Sequence, residues 1–128
     1  MNAAFKVKYD GSIDCIRTHL EGELNRTIVG AFFSEVARVA RANQCNRILS
    51  DLRNAIVGAS LLDIYEEAGL LQERGIRRTD RRAVVVSRDD GAYSFWETAC
   101  FNQGFDNVRI FHDYDEAENW VTKAAGGP

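Results

Sequence analysis

The side chains with the clearest chemical potential lie in the segment RILSDLRNAIVGASLLD, residues 47–63. Its pattern predicts a buried strand with Asp51 near its end, a loop interrupted by Gly58, and a helix that begins at Ser60. In α/β proteins, ligands and reactive side chains gather where the carboxyl end of a strand leads into the next helix. Ser60 is therefore a candidate phosphoacceptor, since the free amides of a helix N-terminus stabilise a phosphate.

Ser60 also has a purely structural interpretation as the N-cap of this helix. Ser60 and Asp63 have the spacing of a capping box, in which each side chain accepts a hydrogen bond from the other residue's backbone amide. We favour the cap, and phosphorylation of Ser60 stays open as the alternative. The loop before the helix is predicted to contact a protein partner through Asp51, Arg53, Asn54 and Gly58.

The remaining reactive side chains do not form a catalytic or metal-binding set in the sequence. His19 and His112 have no Cys, His or Asp at metal-ligand spacing around them. The three cysteines are odd in number and widely spaced, which is typical of reduced thiols in a cytoplasmic protein. The GxSxG, GxGxxG and Walker A patterns do not occur. We therefore predict a protein that is not an enzyme and has no catalytic residues, metal or cofactor.

Two further clusters could recognise a partner. One hypothesis for a basic cluster is that it binds an anion, a lipid headgroup or a nucleic acid. However, no aromatic residue is interleaved with its arginines, and the net charge of −3 on the chain disfavours nucleic acid. We interpret it as a solvated loop before an interior strand. The cluster consists of Arg74, Arg77, Arg78, Arg81 and Arg82.

The second cluster is an aromatic helix, which is expected to expose a face for self-association or to pack on the sheet. It carries Tyr93, Phe95, Trp96 and Phe101.

Apolar periodicity predicts the elements that position these side chains. Two alternating runs flank Asp10-Gly11, which predicts an antiparallel hairpin. Strands then alternate with helices, so the order is β-β-α-β-α-β-α-β-α and the fold class is α/β. Right-handed crossovers imply a five-stranded mixed, mostly parallel sheet with four helices. The predicted strands are 5–9, 13–20, 47–52, 83–87 and 108–111, and the helices are 26–42, 60–74, 93–102 and one that begins after 113.

Length and composition predict one domain over residues 1–123, with 124–128 as a frayed tail. The hydrophobic fraction of 45% and the charged fraction of 27% are ordinary for a globular protein. The apolar runs are too short to span a bilayer, and the N-terminus lacks the pattern of a signal peptide. We therefore expect a cytoplasmic protein that is not embedded in a membrane and does not bind nucleic acid.

These features together resemble the STAS domain, the fold of anti-sigma-factor antagonists and of the cytoplasmic tails of anion transporters. The resemblance covers residues 5–123 and depends on the hairpin, on LEGEL at 20–24 and on LSDL at 49–52. The later runs are similar to the stand-alone branch of antagonist-like proteins, which is related to lipid-binding CRAL-TRIO domains. Those runs are RAVVVS at 82–87, FNQGFDNVRIF at 101–111 and EAENWV at 116–121.

The resemblance implies a bacterial, non-enzymatic regulatory module that binds a protein partner. A homodimer, in which the partner is a second copy of the chain, is left open. In the antagonists a kinase phosphorylates a serine within Asp-Ser-Ser-Gly at the start of the second helix. Ser60 occupies that place here, without the preceding Asp and the following Gly. The alternative is a small carrier of a lipid or other apolar ligand. Its pocket would lie between helices and sheet and would be lined by Phe32, Phe33, Ile64 and Leu71.

Overall fold

A computed structural model describes residues 3–88 and 91–123 of the chain. Its strands are β1 (Ala4–Asp10), β2 (Cys15–Leu24), β3 (Arg47–Val57), β4 (Arg81–Val85) and β5 (Val108–Phe111). Its helices are α1 (Arg26–Ala42), α2 (Leu61–Gly69), α3 (Leu71–Arg74), α4 (Ala92–Asn102) and α5 (Tyr114–Thr122). The predicted frayed tail, 124–128, lies outside the described residues. Among those residues, every helix is too short or too polar to cross a membrane.

The five strands form one sheet in the order β1-β2-β3-β4-β5. β1 pairs antiparallel with β2, and the other neighbours are parallel. The spatial order follows the chain order because α1, α2 and α4 all cross over on the same face, as right-handed connections require. The predicted α/β class and the mixed, mostly parallel sheet are confirmed. We call the face under α1, α2 and α4 the three-helix face, and the face under α5 the one-helix face.

The structure has five helices where four were expected in the described part of the chain. The helix predicted over 60–74 is divided at Leu70, whose amide bonds to the Glu67 carbonyl and so departs from α-helical pairing. The chain resumes as the single-turn α3 and stops at Gly75, which has a φ of 99°. That left-handed conformation is the usual helix C-cap and favours glycine.

β3 is longer than predicted and changes the interpretation of the proposed partner loop. Beyond Asp51 it continues to Val57, because residues 54–57 pair in parallel with the end of β2 after a bulge near His19. Asp51, Arg53 and Asn54 are therefore strand residues and not loop residues. Gly58 alone of the four lies beyond the strand.

Strand alternation sorts the core into two clusters. In β4, Arg82 and Val84 face the three-helix side, while Ala83 and Val85 face α5. In β3, Ile48 lies on the three-helix side in the same way. The larger cluster thus lies under three helices and the smaller one under α5 alone. The cavity described below lies on the three-helix side.

Candidate functional site

A largely apolar cavity lies between the sheet and helices α1, α2 and α4, and its volume is about 110 Å³. An engineered apolar cavity of about 150 Å³ takes up benzene, so this space suits a small ring or a short acyl chain. The cavity reaches the surface beside Arg26 and Asp63, whose side chains are 39% and 38% exposed. Most of its wall is aliphatic or aromatic, including Leu20, Leu24, Val29, Val36, Ile48, Leu52, Val57 and Val84.

Three of the four residues predicted to form a ligand pocket lie on this cavity. Phe32, Phe33 and Ile64 line its wall. Leu71 is fully buried in the same core cluster but does not line the cavity, because the break before α3 removes it from the stripe of α2. Trp96 of α4 adds an aromatic wall that the sequence did not assign, and its ring stacks on Phe33 with centroids 5.5 Å apart.

Arg82 is a buried cation on the cavity wall, with 5% of its surface exposed. Its Nε and Nη2 have no hydrogen-bond partner in the structure. It takes part in none of the ion pairs found between described residues. It lies beside Cys100, where burial raises the pKa of the thiol and the guanidinium opposes that shift. A buried, unpaired guanidinium is unfavourable unless another group supplies acceptors.

Glu67 is the buried anion of the same wall, with 2% exposure, and it is paired. Its Oε1 accepts from Arg26 Nε at 3.3 Å and from Arg74 Nη2 at 2.9 Å. Arg26 also binds Glu66 at 2.9 Å, so this network joins the start of α1 to α2 beside the cavity mouth. The charge of Glu67 is therefore neutralised within the protein, in contrast to that of Arg82.

The sequence contained signals for both buried charges. Glu67 follows Ile64 by three positions and precedes Leu71 by four, which is the spacing of an inward helical stripe. Arg82 alternates with Val84 at the start of an apolar strand, the period of residues that share one face. The interpretation of the arginine cluster as a solvated loop was wrong for Arg82, because β4 begins at Arg81 and carries the next side chain inward.

The other arginines of that cluster are individually engaged and do not form one anion-binding patch. Arg74 binds Glu67, and Arg77 pairs with the buried Asp80 at 3.2 Å. On the one-helix face, the Arg81 guanidinium stacks 3.9 Å from the Trp120 ring centroid. Arg78 lies over the Phe105 ring.

Ser60 is the N-cap of α2, and the capping box is confirmed. Ser60 Oγ accepts from the Asp63 amide at 3.1 Å, and Asp63 Oδ2 accepts from the Ser60 amide at 3.4 Å. Phosphorylation of Ser60 stays a prediction. Exposed apolar side chains flank this cap in the chain, and we call them the α2 patch. The patch consists of Ile56, Leu61, Leu62 and Tyr65.

Asp51 lies on the one-helix face, and it does not join Ser60 in a common site. Arg53 donates to both of its carboxylate oxygens, at 2.9 and 2.8 Å, and His19 Nδ1 is 3.6 Å from Oδ2. The hydrogen bonds from Arg53 lower the pKa of Asp51 below its ordinary value. Asn54 is an exposed strand residue, and Gly58 donates its amide to the Leu24 carbonyl. The four predicted partner-loop residues are thus spread over a strand and its end.

The cysteines and the aromatic helix have mainly structural environments. All three cysteines are buried and unbonded to one another, and burial raises the pKa of Cys15 to about 12. In the part of the chain that the structure describes, no three His, Cys, Asp or Glu side chains are grouped as they would be to hold a metal ion. Of the aromatic residues in α4, Phe101 is exposed and Tyr93 is buried.

Comparison with known proteins identifies the fold. Neither a protein-family model nor a curated protein sequence matches this chain. One similar solved structure is an uncharacterised protein of the DUF3478 family with a SpoIIAA-like fold, from Shewanella loihica PV-4. The TM-score is 0.55 with 16% sequence identity over 93% of each chain. The chain therefore has a SpoIIAA-like, STAS-like α/β fold.

Proposed function

We propose that this protein is a non-enzymatic binding module that takes up a small apolar molecule between its sheet and the helices α1, α2 and α4. The observation that carries the proposal is the apolar cavity of about 110 Å³. Protein interiors are close-packed, and their few voids seldom exceed the size of a water molecule. A continuous space bounded by Phe32, Phe33 and Trp96 is therefore better explained as a ligand site than as ordinary packing.

The surface of the cavity suits an apolar occupant. Burial of each methylene group contributes about 0.8 kcal/mol, so five methylenes contribute roughly 4 kcal/mol. That free energy corresponds to a Kd of about 1 mM, and a longer chain that continues toward the mouth would bind more tightly. The sequence favoured a protein partner over such a carrier function, and the cavity now gives the carrier function the stronger support.

A matched pair of substitutions on α1 tests the proposal. Val29 lines the cavity, whereas Val39 is a partly buried residue of the same helix outside it. We expect Val29→Phe to fill the space and weaken binding of 1-hexanol at least tenfold, while Val39→Phe leaves it unchanged. Titration followed by ¹H–¹⁵N NMR measures the affinity. Native mass spectrometry of freshly purified protein complements it. An apo mass together with no binding of 1-hexanol by the unmodified protein would contradict the proposal.

A second candidate function, binding of a protein partner, is favoured by the α2 patch. Leu62 of this patch is 64% exposed, and clustered exposed apolar side chains commonly mark interaction surfaces. The STAS-like fold supports the same function, because the resemblance implies a partner at this junction. The homodimer is a narrower form of this hypothesis, with a second copy of the chain as the partner.

Two measurements separate these partners. Phe101, on α4, is an exposed apolar residue outside the patch and provides the control substitution. We expect Leu62→Glu to abolish capture of a specific protein from the native host, while Phe101→Glu retains it. Sedimentation equilibrium of three proteins, the unmodified protein and these two variants, reports self-association. Identical captured proteins and identical masses for all three would argue against the α2 patch as a binding surface.

A further inference from the structure

We infer that the ligand of the cavity is an apolar molecule with an anionic oxygen group, and that Arg82 binds this group. The inference rests on the proposed function and specifies the chemical class of the ligand. A carboxylate and a phosphate share the required chemistry, since each presents oxygens that accept from two guanidinium nitrogens at once.

The unused hydrogen-bonding capacity of Arg82 is the first support. Only 5% of its surface is exposed, and Nε and Nη2 are two adjacent donors that the protein leaves without acceptors. These are the nitrogens that a bidentate carboxylate uses on one edge of a guanidinium. Both are closed off from bulk water, so binding requires a small shift of the side chains that cover them.

The charge balance of the interior is the second support. The other buried ionic groups of the described chain have partners of opposite charge: Glu67 pairs with Arg26 and Arg74, and Asp80 pairs with Arg77. Arg82 alone among them has no ion-pair partner in the described residues. An anion in the cavity would supply the missing charge where the low dielectric makes the interaction strong.

The position of Arg82 along the sheet predicts the orientation of the ligand. Arg82 pairs with Ile48, near the start of the parallel strands. The exposed part of the wall, around Asp63 and Val57, lies at the opposite end of β3. The anionic group would therefore enter first and lie deepest, with the apolar chain extending back past the aromatic wall toward the mouth.

Four small probes separate headgroup recognition from apolar binding. These are hexanoate, hexyl phosphate, 1-hexanol and acetate, titrated into the protein with ¹H–¹⁵N NMR detection that includes the arginine Nε–H signals. We expect one or both of the six-carbon anions to bind at least tenfold more tightly than 1-hexanol. Acetate, which lacks the chain, should bind at least tenfold more weakly than hexanoate. The tighter of the two anions identifies the headgroup as carboxylate or phosphate.

Substitutions at neighbouring positions of β4 assign the preference to one residue. Arg82→Met should abolish the preference for the anions while 1-hexanol still binds. Arg81→Met is the matched control, since Arg81 stacks on Trp120 on the opposite face of the sheet and should leave the preference unchanged. If Arg82→Met does not fold, the comparison of probes in the unmodified protein still decides whether an anion is preferred.

The possible failures are distinct. Equal affinity for 1-hexanol and both anions would overturn the inference and leave apolar binding intact. An anion preference that survives in Arg82→Met would overturn the role of Arg82. Absence of binding by all six-carbon probes would overturn both the inference and the proposed function.

Discussion

The two faces of the sheet are built from the same strands but differ in how completely they are filled. On the one-helix face, Leu49, Val85 and Val121 are fully buried in a small apolar cluster. On the three-helix face, a larger cluster surrounds a cavity of about 110 Å³ and includes buried Arg82 and Glu67. Cavities and buried charges both reduce stability. The contrast supports the proposal that one face mainly stabilises the fold and that the other accommodates a ligand.

Leucine truncation on the two faces should give the largest difference. Leu49→Ala removes a side chain packed on all sides, and we expect a loss of about 3 kcal/mol in the free energy of unfolding. Leu24→Ala removes one that already borders empty space and makes fewer dispersion contacts there. Its loss should be smaller by about 1 kcal/mol. Urea unfolding measures both values, and equal losses would show that the cavity face is packed as tightly as the other.

Removal of an arginine side chain should have opposite effects on the two faces. Arg82→Met replaces an unpaired charge by an apolar side chain of similar length, and we expect a gain of about 1 kcal/mol in the free energy of unfolding. Arg17 on the one-helix face binds Asp10 at 2.8 Å and Glu118 at 2.7 Å, so Arg17→Met should destabilise the protein. The same urea titration compares them. Destabilisation by Arg82→Met would indicate that its guanidinium stabilises the empty protein.

Substitutions at Ser60, the N-cap of α2, separate a purely structural role of this residue from a phosphorylation switch. Ser60→Ala removes the side-chain acceptor and should lower the free energy of unfolding by about 1 kcal/mol. Ser60→Asp keeps an N-cap acceptor, so it should retain most of that stability. Capture of the protein partner by the two variants then distinguishes a structural cap from a phosphorylation switch. Loss of the partner with Ser60→Asp but not with Ser60→Ala would favour a phosphorylation switch; equal capture by both would favour the cap alone.

Local sequence signals predicted the bounds of those elements that a cap and a continuous apolar stripe determine. α1 extends over the predicted residues 26–42, because Asn25 caps it and its inward stripe is continuous. The end of β3 could not be predicted in the same way. Asn54 has weak strand preference, and it is extended because the neighbouring strand β2 pairs with it. Non-local pairing therefore determines the end of this strand.

The candidate site shows the same division between local and non-local causes. Phe32 and Ile64 were predictable as pocket residues because helical spacing places them inward. Periodicity identifies which side chains share a face, but it does not show whether they fill the space between two elements. The cavity and the unpaired Arg82 arise from the distance between α1, α4 and the sheet, which three separate crossovers determine together.

The smallest expected effect is on the pH dependence of stability, and it comes from the ion pair of Asp51 and Arg53 on the one-helix face. Arg53 lowers the pKa of Asp51 in the folded protein below its unfolded value of 3.8. A carboxyl group with a depressed folded-state pKa stabilises the protein above its unfolded pKa, and this contribution is lost as the pH falls through the folded value. Asp51→Asn should therefore lose less stability than the unmodified protein between pH 7 and pH 3. Because Arg53 is half exposed, solvent screens the pair and the difference should be small. Urea unfolding at the two pH values measures it, and parallel losses in the two proteins would show that the pair contributes nothing to the folded state.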